Sequence, residues 1–145
     1  MFKHILLPTD GSALSEVAVQ SGIRFAKSIN AHVTGLHVIL PFHLFARGGE
    51  MVSDTKAQFE KNSVAHAQLY LAAISKAAKE AGVPCDCITE KADHPYEAII
   101  AAAEKRGCDL IVMASHGRRG VKGLLIGSET HKVLTHTKIP VLVFR

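Results

Sequence analysis

Residues 5–7 read ILL and residues 110–114 read LIVMA, with no polar residue inside either run. A strand with one wet face alternates apolar and polar residues, so an unbroken aliphatic run marks a strand covered on both sides. Parallel strands joined by helical crossovers provide that double cover. Everything between the runs then has to supply the crossovers.

The remaining segments fit that requirement. Lys3–Pro8 is the first strand, closed by its proline, and Thr9-Asp10-Gly11-Ser12 is a turn. Ser12 is placed to cap a helix with Glu16 in its first turn, apolar Val17, Ile23 and Phe25 along it, and Asn30 at its end. Ala31–Ile39 is a second strand. The stretch 41–54 has Pro41, Gly48-Gly49 and no periodicity, which predicts a loop with at most one short helical turn. A long helix over Thr55–Ala81 carries Phe59, Ala67, Leu71, Ile74 and Ala78 on one stripe, and Gly82 and Pro84 stop it. Cys85–Ala92 is a third strand. His94-Pro95 opens a helix with Ile99, Ile100 and Ala101–Ala103, ending at Gly107. Asp109–Ser115 is the fourth strand, Leu124–Thr135 the last helix and Lys138–Arg145 the fifth strand. No repeat, linker or composition shift divides residues 1–145. The expected architecture is α/β: one doubly wound domain with a five-stranded parallel sheet and helices on both faces.

Charge and composition exclude several functions. The net charge is +4, yet basic residues are scattered, with no like-charge run and no interleaved aromatics, so nucleic acid is not an expected partner. No apolar run reaches membrane-spanning length, and the start lacks a signal-peptide pattern; a cytoplasmic protein with no membrane association is expected. Cys85, Cys87 and Cys108 are odd in number, which argues against a disulfide framework. Cys85 and Cys87 face the same way on a strand, but no second pair at zinc-finger spacing follows, so buried small side chains are the expected role. His131 and His136 are five apart, off the helical ligand spacing, and His37 and His94 have no partner at ligand spacing; no intrinsic metal site is expected.

In an open parallel sheet, ligands bind beyond the carboxyl ends of the strands. Three strand ends carry polar residues: Thr9-Asp10-Gly11, His37-Val38 and Ser115-His116-Gly117. All three are predicted on one edge. Residues 114–128, ASHGRRGVKGLLIGS, match neither a P-loop nor a dinucleotide fingerprint. Gly117, Gly120 and Gly127 would let amides approach an anion, with Gly127-Ser128 seating a phosphate at a helix N-terminus. If the helix begins near Val121 instead, Gly127 falls inside it and the glycines only turn the chain. Asp10 reads either as a ligand contact or as ordinary Asp-Gly turn chemistry. His116 either bonds a ribose or phosphate or pins its loop. Of Arg118 and Arg119, one suits a phosphate and the other solvent. Ser12, Ser115 and Ser128 lack a nucleophile-elbow context, so no catalytic residue is assigned, and slow ATP hydrolysis is the most expected.

The segments ILLPTDGS, LHVI and LIVMASHGRRGVKGLLIGSETHKVLTHTKIPVLVFR together resemble the universal stress protein family, over essentially the whole chain. Most specific is the pattern G-x2-G-x9-G-[ST] of the family's ATP-binding branch. Gly117, Gly127 and Ser128 fit it, and Ala114 stands where its first glycine belongs. The resemblance implies a Rossmann-like fold, a role in stress response and an ATP, ADP or AMP site. Carried over by position, Pro8, Thr9 and Asp10 would flank adenine and ribose, and Val38 would contact the adenine. Met113, Ala114, Ser115, His116, Gly117, Arg118, Arg119 and Gly120, with Gly127, Ser128, Glu129 and Thr130, would hold ribose and phosphates. Mg²⁺ would come with the nucleotide. The alanine costs affinity in two cases: where the position needs positive φ, at about 1–2 kcal/mol, or where ligand presses on Cα. The resemblance also implies a homodimer. Ile139–Phe144, apolar nearly throughout, would lie at a sheet edge, where two copies could pair antiparallel. Two other readings stay open: a dimeric stress protein acting on an unidentified protein partner without nucleotide, favoured by Ala114, and an enzyme on a related fold such as an ATP pyrophosphatase, disfavoured by the missing phosphate signature after strand one.

Overall fold

A computed structural model describes residues 1–47, 55–118, 120, 123 and 125–145, with side chains of 45–47 left aside. The elements run β1 (His4–Pro8), α1 (Ala13–Ile29), β2 (His32–Ile39), α2 (Phe42–Arg47), α3 (Lys56–Ala81), β3 (Cys85–Lys91), α4 (Pro95–Arg106), β4 (Leu110–Ala114), α5 (Ser128–His136) and β5 (Val141–Phe144). The sheet order is β3-β2-β1-β4-β5, and every pairing is parallel. The chain builds outward from β1 to β3, then returns to the other side of β1 for β4 and β5. The switch in direction therefore falls between β1 and β4, where polar ends meet.

The aliphatic runs are buried on both faces, as their pattern requires. Ile5, Leu7, Val33, Leu110 and Val112 point to one side, against Val19, Ile23 and Ala26 of α1 and Leu71, Ile74 and Ala78 of α3. Leu6, Leu36, Ile111 and Met113 point to the other, against Ile99, Ala102 and Ala103 of α4 and Val133 of α5. Each fully buried aliphatic side chain contributes roughly 1.5–3 kcal/mol relative to exposure. The stripe of α1 is built from smaller residues than expected: Ser15, Ala18, Val19, Gly22, Ile23 and Ala26 are buried, whereas Val17 faces solvent. The reason is close approach to the sheet: a Cβ on Gly22 would meet Leu7 Cδ2 at 2.5 Å.

Ser12 caps α1 as the sequence predicts, and Thr55, expected as the first residue of its helix, stands as the cap of α3. Ser12 and Thr55 each accept the amide three residues on, at 3.2 Å. Asn30 closes α1 with a left-handed backbone (φ 56°). Three boundaries differ from expectation. The region after Pro41 begins with the six-residue α2, whose Phe42 packs edge-on against Phe59; Gly48-Gly49 and the rest of 48–54 lie outside the described residues. The fifth strand is shorter, beginning at Val141; Pro140 before it has no N–H to give to a ladder, although its carbonyl accepts Ile111 N–H. The last helix starts at Ser128, and its expected first residue, Leu124, lies outside the described residues. Gly127 precedes it in extended conformation (φ −71°, ψ 162°), with its N–H donated to Ser115 O at 2.6 Å. That bond draws Gly127 to the end of β4 and out of the helix.

Among the described residues, no helix is long and apolar enough to cross a membrane. β3 and β5 are the two edges of the sheet. On β5, Leu142 is 39% exposed, and Val141, Val143 and Phe144 are only half-buried.

Candidate functional site at the strand switch

The turn after β1 and the loop after β4 are tied together by Asp10. Its Oδ1 accepts Ser12 N–H at 2.9 Å and its Oδ2 accepts Arg118 N–H at 2.7 Å. Burial works against the charged carboxylate, but the hydrogen bonds from Ser12, Arg118 and Ser15 outweigh it and hold Asp10 below the usual carboxylate range. Asp10 thus performs the turn role, and it does more: it reaches across to the glycine loop. A Cβ on Gly117 would overlap Asp10 Oδ2. Gly117 is required by close approach of this carboxylate, not by a left-handed backbone, since its φ is not positive.

Thr9 and His37 extend the same construction to β2. Thr9 N–H donates to Leu36 O at 2.8 Å, and His37 Nδ1 donates to Thr9 O at 2.8 Å. That bond leaves Nε2 as the acceptor of the neutral ring. Burial pushes the His37 imidazole down, against the raising effects of the Thr9 carbonyl and Asp10. Pro8 is buried, and Val38 is half-buried at the same strand ends, on the α4 side of the sheet.

On β4, Met113 and Ala114 are each 7% exposed and Ser115 is 1% exposed. Ala114 is a strand residue paired with Phe144, and Asn30 alone among described non-glycine residues has positive φ. Alanine therefore imposes no backbone strain in this place. Its carbonyl accepts Thr130 Oγ1 at 2.9 Å, so the buried Thr130 side chain fastens α5 to the end of β4. Ser115 Oγ and His116 Nδ1 lie 2.9 Å apart, while His116 Nε2 is buried and, among the described residues, has no hydrogen-bond partner. Buried polar atoms are rarely left so.

α5 delivers its amino end to the same place. Its first internal bond runs from His131 N–H to Gly127 O at 2.9 Å. The amides of Ser128, Glu129 and Thr130 precede that bond and have no carbonyl within the helix. A helix start with such amides attracts anions. The Glu129 carboxylate turns elsewhere: Oε2 accepts Tyr96 N–H at 3.0 Å at the start of α4, and Oε1 lies 3.2 Å from Lys132 Nζ. Of Glu129, only the backbone faces the strand switch. Gly120 closes the turn through its N–H to Gly117 O at 3.1 Å; Arg119 lies outside the described residues.

Sequence reasoning missed Tyr70. It stands on α3 beside the buried stripe, and its ring lies where a Cβ on Gly11 would be, so Gly11 (φ 78°) admits it. Arg118 Nη2 donates to Tyr70 Oη, and the guanidinium carbon sits 5.3 Å from the ring centroid. His37 meets the same ring edge-on at 5.2 Å and His66 lies over it at 6.0 Å. The i, i+4 pair His66 and Tyr70 on the stripe's margin was the available signal. Ring and guanidinium thus lie over Gly11 at the strand switch, and two surface hollows lie away from it, near Phe42–Lys91 and between β3 and α4.

Comparison with known proteins agrees with this architecture. The model of the universal stress protein family matches residues 1–145. Universal stress protein MJ0531 of Methanocaldococcus jannaschii is 34% identical over 100% of this chain and 83% of its own length. The solved structure of MJ0577 from the same organism, a hypothetical protein whose biochemical function was assigned from structure, superposes with a TM-score of 0.82 at 31% identity, covering 99% of this chain and 95% of that one. A universal stress protein solved in complex with cAMP shares the fold, with a TM-score of 0.74 at 22% identity, covering 99% of this chain and 97% of that one.

Proposed function

This chain belongs to the universal stress protein family, and on that premise we propose that it binds ATP, ADP or AMP at the switch between β1 and β4 and serves in the cytoplasm as a stress-response regulator. The observation that carries the reading is the convergence there of Asp10, the Gly117–Arg118 backbone and the amino end of α5. Pro8, Thr9, Asp10 and Val38 take the nucleoside. Met113 through Gly120, with Gly127, Ser128, Thr130 and the Glu129 amide, take ribose and phosphates. His116 Nε2, without a partner among the described residues, offers one more polar contact. The Asp10 and Glu129 oxygens each already have a partner in the chain, and Mg²⁺ arriving with ATP would be held mainly by phosphate oxygens. The cAMP complex of a protein with this fold supports the ligand class.

The direct test is mass spectrometry of the purified, denatured chain, followed by calorimetric titration with ATP, ADP and AMP. An adenine nucleotide that co-purifies or binds at micromolar concentration is the expected result; no binding of any of the three overturns it.

A second reading, partner binding by a dimer without nucleotide, is favoured by Ala114 and by the Tyr70–Arg118 contact over Gly11. Dimerisation is common to both readings. The half-exposed apolar edge of β5 suits antiparallel pairing of two copies about a two-fold axis. Val143→Lys or Val141→Pro is expected to halve the mass seen by light scattering. A parent chain that is monomeric at high concentration sinks the dimer.

A further inference from the structure

We propose that Cys85 and Cys87 on the free edge of the sheet form a two-sulfur site for one soft monovalent cation of the copper(I) class. The two residues alternate on β3 with Asp86, so their sulfurs share the face that packs on α3. Their Sγ atoms lie 4.0 Å apart. The expectation that this pair supplies buried small side chains is not met: Cys85 is half-buried and Cys87 exposed, because β3 has a neighbour on one side only, whereas Cys108 is buried.

The separation decides between two uses of such a pair. Two sulfurs bound to one ion at about 2.3 Å each stand at most about 4.6 Å apart. The observed 4.0 Å lies inside that limit, so an ion can bridge them with the strand left in place. A disulfide needs the sulfurs at about 2.05 Å, and the roughly 6.6 Å between alternate Cα atoms of a strand is near the upper limit for such a bond. The strand geometry therefore favours an ion over a disulfide.

The ligand count narrows the ion. Among the described residues no group of three or more His, Cys, Asp or Glu side chains is placed to hold a metal, so the four-ligand cage of structural zinc is lacking. Thiolate ligands select soft ions, and copper(I) accepts as few as two sulfurs; at about 2.3 Å per bond the observed 4.0 Å subtends about 120° at the ion, and opening to a linear arrangement needs only about 0.6 Å more.

The surroundings help. Cys87 pairs in register with Gly35 of β2. A Cβ on Gly35 would lie 3.2 Å from Cys87 Sγ and 3.0 Å from Ile74 Cγ2, so the bare backbone keeps room beside the sulfur. Uptake displaces the thiol protons: the Cys85 and Cys87 thiols and M⁺ give a bis-thiolate complex of charge −1 and two released H⁺. The site is on the α3 face of β3, apart from the strand switch, and does not depend on nucleotide.

The experiment uses the reduced full-length chain, without oxygen, titrated with copper(I) against a chromogenic copper(I) chelator, with native mass spectrometry for stoichiometry. One copper(I) per chain is expected. Cys85→Ser and Cys87→Ser should each abolish uptake, and Cys108→Ser should leave it intact. Zn(II) should not be retained through gel filtration. Alkylation supplies a second measurement on the unmutated protein: bound copper(I) should protect Cys85 and Cys87, mapped by peptide mass, and not Cys108. Absence of copper, retention after loss of both edge cysteines, dependence on Cys108, or edge cysteines alkylated equally with and without copper overturns the proposal.

Discussion

The two ends of the sheet are built from the same residue types and differ in what is left without a partner. At the amino end, His4 Nε2 meets Thr34 Oγ1 at 2.7 Å, His4 stacks on His32 at 4.5 Å, and His32 Nε2 lies 3.1 Å from Asp86 Oδ2. Asp109 accepts the amides of Lys3 and His4 there. At the carboxyl end, Asp10, His37 and His116 make similar bonds, but among the described residues His116 Nε2 has no partner, and the first amides of α5 have no carbonyl within their helix. Histidines and aspartates at strand ends are therefore not the mark of a ligand site. Closed pairing makes the amino end structural, and unmatched polar groups make the carboxyl end the place to look.

The largest effect that could break this contrast comes from Gly117→Val. Its side chain would displace Asp10 Oδ2 and with it the tie between the two loops. Nucleotide binding should fall at least about a hundredfold, or about 2.7 kcal/mol, by calorimetry, while His32→Ala at the amino end should leave affinity unchanged. Equal losses from both changes would erase the distinction.

Acid comes next and acts on both ends. The His4 and His37 rings are lowered from 6.5, mainly by burial, so below that pH the unfolded chain takes up protons that the folded chain resists. Their contribution to stability is present above pH 6.5 and is lost as pH falls below it. Asp10, held below its ordinary 3.8, adds a second loss as pH drops further. Thermal melts from pH 8 to about 4 should show the midpoint declining below pH about 6.5, with His37→Gln flattening the decline more than His4→Gln because His37 is the more enclosed. A midpoint constant across that range would contradict the sign.

The smallest effect belongs to Ala114→Gly. Its backbone is already extended, so the glycine relieves no φ strain. Removing the methyl should preserve nucleotide affinity or tighten it, by no more than about tenfold. Glycine in a strand should at the same time cost about 0.5–1 kcal/mol of stability in a denaturant melt. Weaker binding at unchanged stability would show that the alanine methyl itself contributes.

Much of this molecule was legible in order. Aliphatic runs determine double cover, and double cover determines parallel strands with helices between them, so Ile5–Leu7 and Leu110–Ala114 sufficed for the architecture. The caps at Ser12, Asn30, Gly82 and Gly107 could be read because each is a local bond or a local backbone state. What escaped is long-range. The start of α5 depends on a bond from Gly127 to Ser115, and the direction of the Glu129 carboxylate on an amide of α4. Tyr70 reaches the strand switch from a helix 59 positions beyond Gly11, through space that only a glycine leaves. The exposure of Cys87 follows from β3 being last in the sheet, a fact of strand order that composition does not contain.

The ring over Gly11 also gives the molecule an optical property. The chain has no tryptophan and two tyrosines, Tyr70 and Tyr96. Tyr96 sits at the start of α4 against Lys132 and His136, on the far side of the sheet from α3. A ligand that enters the strand switch and takes hold of the Arg118 guanidinium draws it from Tyr70 and changes the polarity around that one phenol. Tyrosine emission and near-ultraviolet dichroism are then a built-in gauge of occupancy, read without a label and without a substitution.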